Sequence, residues 1–140
     1  MEFISAEEFL KQPVGVQRVF LEWWKPSKGD LIQKVITDFI TFVRDGDNKR
    51  VLLSGYSYGI DKFKELYILL PTEGQLRKFI EDKTIYKLEI TQFEDGEWSL
   101  CLYKHGSRVI EIDDMDLFKA YWKVACEIAN KEVVEHGQIK

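Results

Sequence analysis

Glu111, Asp113, Asp114 and Asp116 crowd into six positions, the first place in this 140-residue chain where a metal ion or an acid/base pair could be built. A calcium loop needs a glycine at its bend and a closing glutamate at fixed distance, and this run has neither. Carboxylates just before a helix meet free backbone N–H groups and the positive end of the helix dipole, so the run reads as caps. His105 falls in a turn beside Gly106 and reads as a surface histidine; a general base there needs a partner brought from elsewhere. Cys101 in a strand run and Cys126 beside Ala125 and Ala129 read as small buried hydrophobes, without the electropositive, part-exposed setting that activates a thiol. No phosphate-cradling glycine motif occurs. The sequence assigns no catalytic, cofactor-binding or metal-binding residue.

Binding chemistry remains, and two segments carry it. Ser54-Gly55-Tyr56-Ser57-Tyr58-Gly59 sets two tyrosines between glycines, a binding-loop composition that offers flat, amphipathic contact area on an adaptable backbone. Bases could stack on Tyr56 and Tyr58 while Lys62 and Lys64 meet phosphates; the plain alternative folds the rings back over the core. Trp23-Trp24-Lys25-Pro26 is the second segment. Adjacent helical residues point about 100° apart, so both indoles are buried only if the helix packs on two sides. Core packing is the leading reading of the pair, and an exposed indole beside Arg18 and Lys25 would anchor a partner. Trp23, Trp24, Tyr56, Tyr58 and Lys62 are the candidate partner-binding residues.

The elements that must position these residues read as follows. Residues 1–30 form a helical segment: Ser5 with Glu8 makes a capping pattern, Pro13 divides two helices, and Val16, Val19, Phe20, Trp23 and Trp24 recur at helical spacing. Residues 31–70 are the ambiguous part. Leu31, Ile32, Val35, Ile36, Phe39, Ile40 and Val43 share a helical face, yet the segment is dense in β-branched residues, which favours strand. On that reading residues 31–44, the turn Asp45-Gly46-Asp47-Asn48 and Val51-Leu52-Leu53 make a hairpin, and Tyr67-Ile68-Leu69-Leu70 is a further strand ended by Pro71.

Residues 71–135 are plainer. Thr72 and Gln75 cap a helix; Tyr86, Leu88 and Ile90, then Trp98, Leu100 and Leu102, then Val109, Ile110 and Ile112 mark three strands joined by short turns. Leu117, Phe118, Tyr121, Trp122, Ala125, Ile128, Ala129 and Val133 give a last helix a broad stripe to cover the sheet, with a frayed tail from His136. The whole is expected as one α+β domain over residues 1–140, its C-terminal half an α-β-β-β-α unit.

Hydrophobic residues make up 45% of the chain and the formal charge is −4. Residues 1–70 balance ten basic against ten acidic side chains, whereas residues 71–140 hold ten against fourteen. An acidic half repels phosphate, so nucleic acid is possible and not favoured as a partner. No apolar run spans a membrane and no signal-peptide pattern opens the chain, so a cytoplasmic setting is expected.

Leu70-Pro71-Thr72-Glu73-Gly74-Gln75-Leu76-Arg77-Lys78-Phe79-Ile80-Glu81-Asp82-Lys83 and Asp116-Leu117-Phe118-Lys119-Ala120-Tyr121-Trp122-Lys123-Val124-Ala125-Cys126 resemble a group of small proteins encoded by phages and prophages of Gram-positive bacteria. Glu8-Phe9-Leu10 and the run from Val16 to Ser27, with Gly29-Asp30-Leu31, are similar to that group too, and residues 32–66 depart from it. The group has no assigned activity, so the resemblance implies a phage origin and an intracellular setting and transfers no functional residue. The α-β-β-β-α order also resembles the double-stranded RNA-binding domain in topology. That family opens its last helix with lysines, where this chain has Asp113, Asp114 and Asp116. The expected function is non-catalytic binding of a host or phage protein, defence-system inhibition among the possible outcomes, with nucleic-acid binding and a motif-free small-ligand site or enzyme as alternatives.

Overall fold

The computed structural model describes residues 2–35, 37–84 and 87–137, with His136 and Gly137 described by their backbone alone. The fold is α+β: among the described residues, five helices and nine strands in three antiparallel sheets. Two compact units form, Phe3–Pro71 and Thr72–Lys140, the latter with Met1–Glu2.

In the Phe3–Pro71 unit, Ser5 Oγ accepts from the Glu8 N–H at 3.2 Å and starts α1 (Ala6–Leu10). Pro13 precedes α2 (Val14–Trp23), where its fixed φ suits a helix start. The strands β1 (Leu31–Lys34), β2 (Ile40–Phe42), β3 (Asp45–Gly46), β4 (Arg50–Leu53) and β5 (Tyr56–Gly59) follow as a meander, then α3 (Ile60–Leu66) and β6 (Tyr67–Leu69). β1 pairs with β2 on one side and β6 on the other; β4 pairs with β3 and β5. Residues 40–46 thus pair with β1 at one end and β4 at the other, and the unit's last strand returns to its first. Trp24, Ile32, Val43, Val51, Leu53, Phe63, Tyr67 and Leu69 form a buried cluster.

Residues 31–44 are strand in part, and a turn splits the single long strand expected there. Lys34 and Phe39 close it by a backbone bond of 3.1 Å, and the Thr37 hydroxyl donates to Lys34 O at 3.0 Å. Asp45 and Gly46 are paired in β3 and do not form the turn. Asp47 makes it, its Oδ1 accepting from the N–H groups of Lys49 and Arg50 at 2.7 and 2.8 Å. The reading of Ile36 and Tyr86 as face residues, and of residues 138–140 as part of a frayed tail, lies outside the described residues.

In the Thr72–Lys140 unit, a capping box of Thr72 and Gln75 opens α4 (Glu73–Lys83). β7 (Lys87–Gln92), β8 (Trp98–Lys104) and β9 (Ser107–Asp114) make one sheet in that order, and α5 (Leu117–Gly137) packs on β8, β9 and α4. The order is α-β-β-β-α. α5 continues through His136 to Gly137, where a frayed tail was expected.

Candidate protein-binding surface

Alternation fixes where the two tyrosines go. The Ser54-Gly55 turn, with Gly55 at φ +81°, joins β4 to β5 so that Leu53 faces Tyr56 and Val51 faces Tyr58. The expected Gly/Tyr loop is therefore mostly strand. Tyr56 and Tyr58, two apart, point the same way and stack with centroids 6.3 Å apart. Tyr58 meets Phe63 at 6.3 Å and Tyr67 at 6.1 Å, and Phe63 meets Trp24 at 5.4 Å. One aromatic path runs from a ring that is 67% exposed to one that is 2% exposed. Burial, then the Tyr58 hydroxyl beside it, pushes the Tyr67 phenol above its usual pKa.

Trp24 belongs to the core, and the anchoring role weighed for it does not fit that position. Its indole N–H donates to Asp30 Oδ2 at 2.8 Å, satisfying the polar edge that burial would otherwise orphan. Trp23 is half-buried against the same cluster. Lys62 is exposed and pairs with Glu65 at 3.5 Å. Lys64 is drawn away from the surface role imagined for it: its ammonium donates to the carbonyls of Leu21 and Trp24, at 2.5 and 2.6 Å, at the end of α2. Burial holds its pKa below the usual value, opposed by the nearby carboxylates of Asp61 and Glu22. Of the five candidates, the structure brings Tyr56, Tyr58, Trp23 and Trp24 to one aromatic cluster and leaves Lys62 outside it.

No family model, no curated protein and no solved structure matches this chain.

The surface around Tyr56 is wider than the sequence suggested. Arg44, Leu52, Leu53, Ser54, Gly55, Tyr56 and Ser57 line an open concavity of about 560 Å³. Leu52 is 43% exposed there, and Arg50 Nε donates to Ser57 Oγ at 2.9 Å, fixing the polar side of the hairpin. In the other sheet of this unit, β2 carries Ile40 and Phe42, the latter 51% exposed, with Phe39 next to them. Here alternation runs against the usual rule. Thr41 sits opposite buried Ile32, while Ile40 and Phe42 point the other way. The β-branched composition pointed to strand here without saying which face Ile40 and Phe42 take; the Ile-Thr-Phe alternation was the available signal.

Three of the four acidic residues are taken up locally. Asp116 Oδ1 accepts from the Lys119 N–H at 3.1 Å and caps α5; Asp114 accepts from the Asp116 N–H at 2.8 Å and from Lys123 Nζ at 2.6 Å; Glu111 pairs with Arg108. Among the described residues, no group of three or more His, Cys, Asp or Glu side chains is placed to hold a metal, and no helix is long and apolar enough to cross a membrane.

Proposed function

We propose that this chain is a non-catalytic accessory protein of phage or prophage origin that binds a host or phage protein in the bacterial cytoplasm, with inhibition of a defence system as one outcome of that binding. The observation that supports this reading is the number of large apolar side chains that one unit leaves exposed. Phe39, Ile40, Phe42, Leu52 and Tyr56 keep 43% to 67% of their surface exposed within residues 39–56. Exposed side chains of these types match the composition of interface centres, where aromatic residues are enriched. The nucleic-acid alternative loses support, because Lys64 is engaged with backbone carbonyls, Lys62 is paired, and Tyr58 packs inward, leaving one ring for stacking.

The test is capture by the tagged chain from nuclease-treated lysate of a Gram-positive host, beside a Phe42→Ser, Tyr56→Ser variant shown by circular dichroism to be folded. A protein retained by the parent and lost by the variant is expected. Capture unchanged by the substitutions would refute this surface, and a salt-dependent fluorescence change on adding oligonucleotide would favour nucleic acid.

A further inference from the structure

β7 is an edge strand: among the described residues it pairs with β8, from Lys87↔Tyr103 to Gln92↔Trp98, and with no other strand. Its inward residues begin the apolar rows Leu88–Leu102–Ile110 and Ile90–Leu100–Ile112. Leu100 and Leu102 are completely buried beneath α5, while Ile90 at the end of its row stays 43% exposed. A groove of about 440 Å³ accounts for the difference. It lies between α4 and β7, with Ile80 and Tyr121 buried at its base, Leu88 and Ile90 on the strand side, and Arg77, Glu81 and Thr84 on the helix side.

An edge strand beside a helix, with an apolar slot between them, is the arrangement that receives an extended peptide by strand addition: main-chain bonds form along the edge and alternate side chains drop into the slot. The charges at the slot select the sign of the peptide. Arg77 is already matched, held by Glu73 at 3.2 Å and lying 5.4 Å over the Tyr121 ring. Glu81 is exposed at the groove wall; Arg77 and Lys78 act on it from a distance, and no ion pair among the described residues takes up its carboxylate. The surrounding residues 71–140 carry ten basic and fourteen acidic side chains, so the wider field has the same sign.

We infer that the β7 edge and this groove bind an extended peptide segment of a partner with the inward pattern apolar, apolar, basic at alternate positions, the basic side chain meeting Glu81. This surface shares no residue with the one around Tyr56, and the inference stands or falls without it.

The test is titration of the isotope-labelled full chain with the blocked peptide Thr-Ile-Thr-Val-Thr-Lys-Thr, followed by amide chemical shifts, with the Lys→Glu peptide as control. Shifts confined to α4 and to residues 87–92 are expected, with the acidic peptide binding more weakly. Glu81→Lys should weaken the basic peptide by up to about fivefold, the range of an exposed ion pair. Ile90→Lys, at a half-open position that folding tolerates, should abolish binding. Three results overturn the inference: no shift along β7, equal binding of both peptides, or β7 shifts that follow protein concentration without peptide, which would give the edge to a second copy of the chain.

Discussion

Lys64 touches Trp24 twice: its ammonium donates to the Trp24 carbonyl at 2.6 Å and lies 5.9 Å from the centre of the indole ring. The same nitrogen takes the Leu21 carbonyl, so one lysine on α3 closes the end of α2, where backbone carbonyls have no helical partner. Replacing it leaves those carbonyls without a donor in a half-buried setting. Lys64→Met should lower stability by about 1–3 kcal/mol in urea unfolding, while Lys62→Met, breaking only an exposed pair, should stay within about 0.5 kcal/mol. Equal effects would refute the capping role.

Trp24 and Tyr56 should separate stability from binding. Trp24→Ala empties a core position and should cost about 3–5 kcal/mol, with loss of the folded unit. Tyr56→Ala should leave the urea midpoint close to the parent while removing partner capture. A stable Trp24→Ala protein would contradict its place in the core.

Two glycines should respond oppositely to alanine. A Cβ on Gly46 would stand 2.6 Å from the Pro26 carbonyl oxygen, a backbone atom that cannot swing aside, so Gly46→Ala should destabilise by about 1–3 kcal/mol. A Cβ on Gly74 meets nothing within 4 Å, and the residue lies in α4, so Gly74→Ala should stabilise by about 0.5–1 kcal/mol. Thermal unfolding of both variants checks the pair.

Acid should weaken the Thr72–Lys140 unit through Asp114. Its bond from Lys123, then that from the Asp116 N–H, holds its carboxyl below the usual value of 3.8. A depressed native pKa means that the unfolded chain binds the proton more readily. The stabilisation is therefore whole above that usual value and drains away as pH falls through the lower native one. Asp114→Asn should be less stable than the parent at neutral pH, and the gap should close in strong acid. A gap independent of pH would mean that the carboxylate contributes no charge-dependent stability.

Legibility followed the strength of local signals. Thr72 and Gln75 announce α4 because the capping box is a contact within one turn, and Leu88, Ile90, Trp98, Leu100 and Leu102 announce their strands because one sheet face is wet. Residues 31–43 read as strand from their β-branched content, but the turn that splits them was not legible, because strand, turn and strand together placed apolar residues at an accidental helical period, and Phe42 and Ile40 face outward against the rule. The aromatic residues could be named as candidates from composition. Their sides could not, since Trp24 is settled by Asp30 and Phe63, one of them 39 positions away. The β7 groove had no sequence signal, as it is a gap between α4 and a strand edge.

The path shared by β2 and β3 also sets an order of events. The β4–β5 hairpin closes across two residues and needs little loop entropy, whereas β1 must wait for β6, with most of the meander between them. Residues 40–46 bond to β1 across one short turn and to β4 across another, so these pairings are local and only the β1–β6 seam is late. Substitutions in β4 or β5 should thus change the folding rate, and substitutions at the β1–β6 seam chiefly the unfolding rate, making the seam the place where the unit's lifetime is decided.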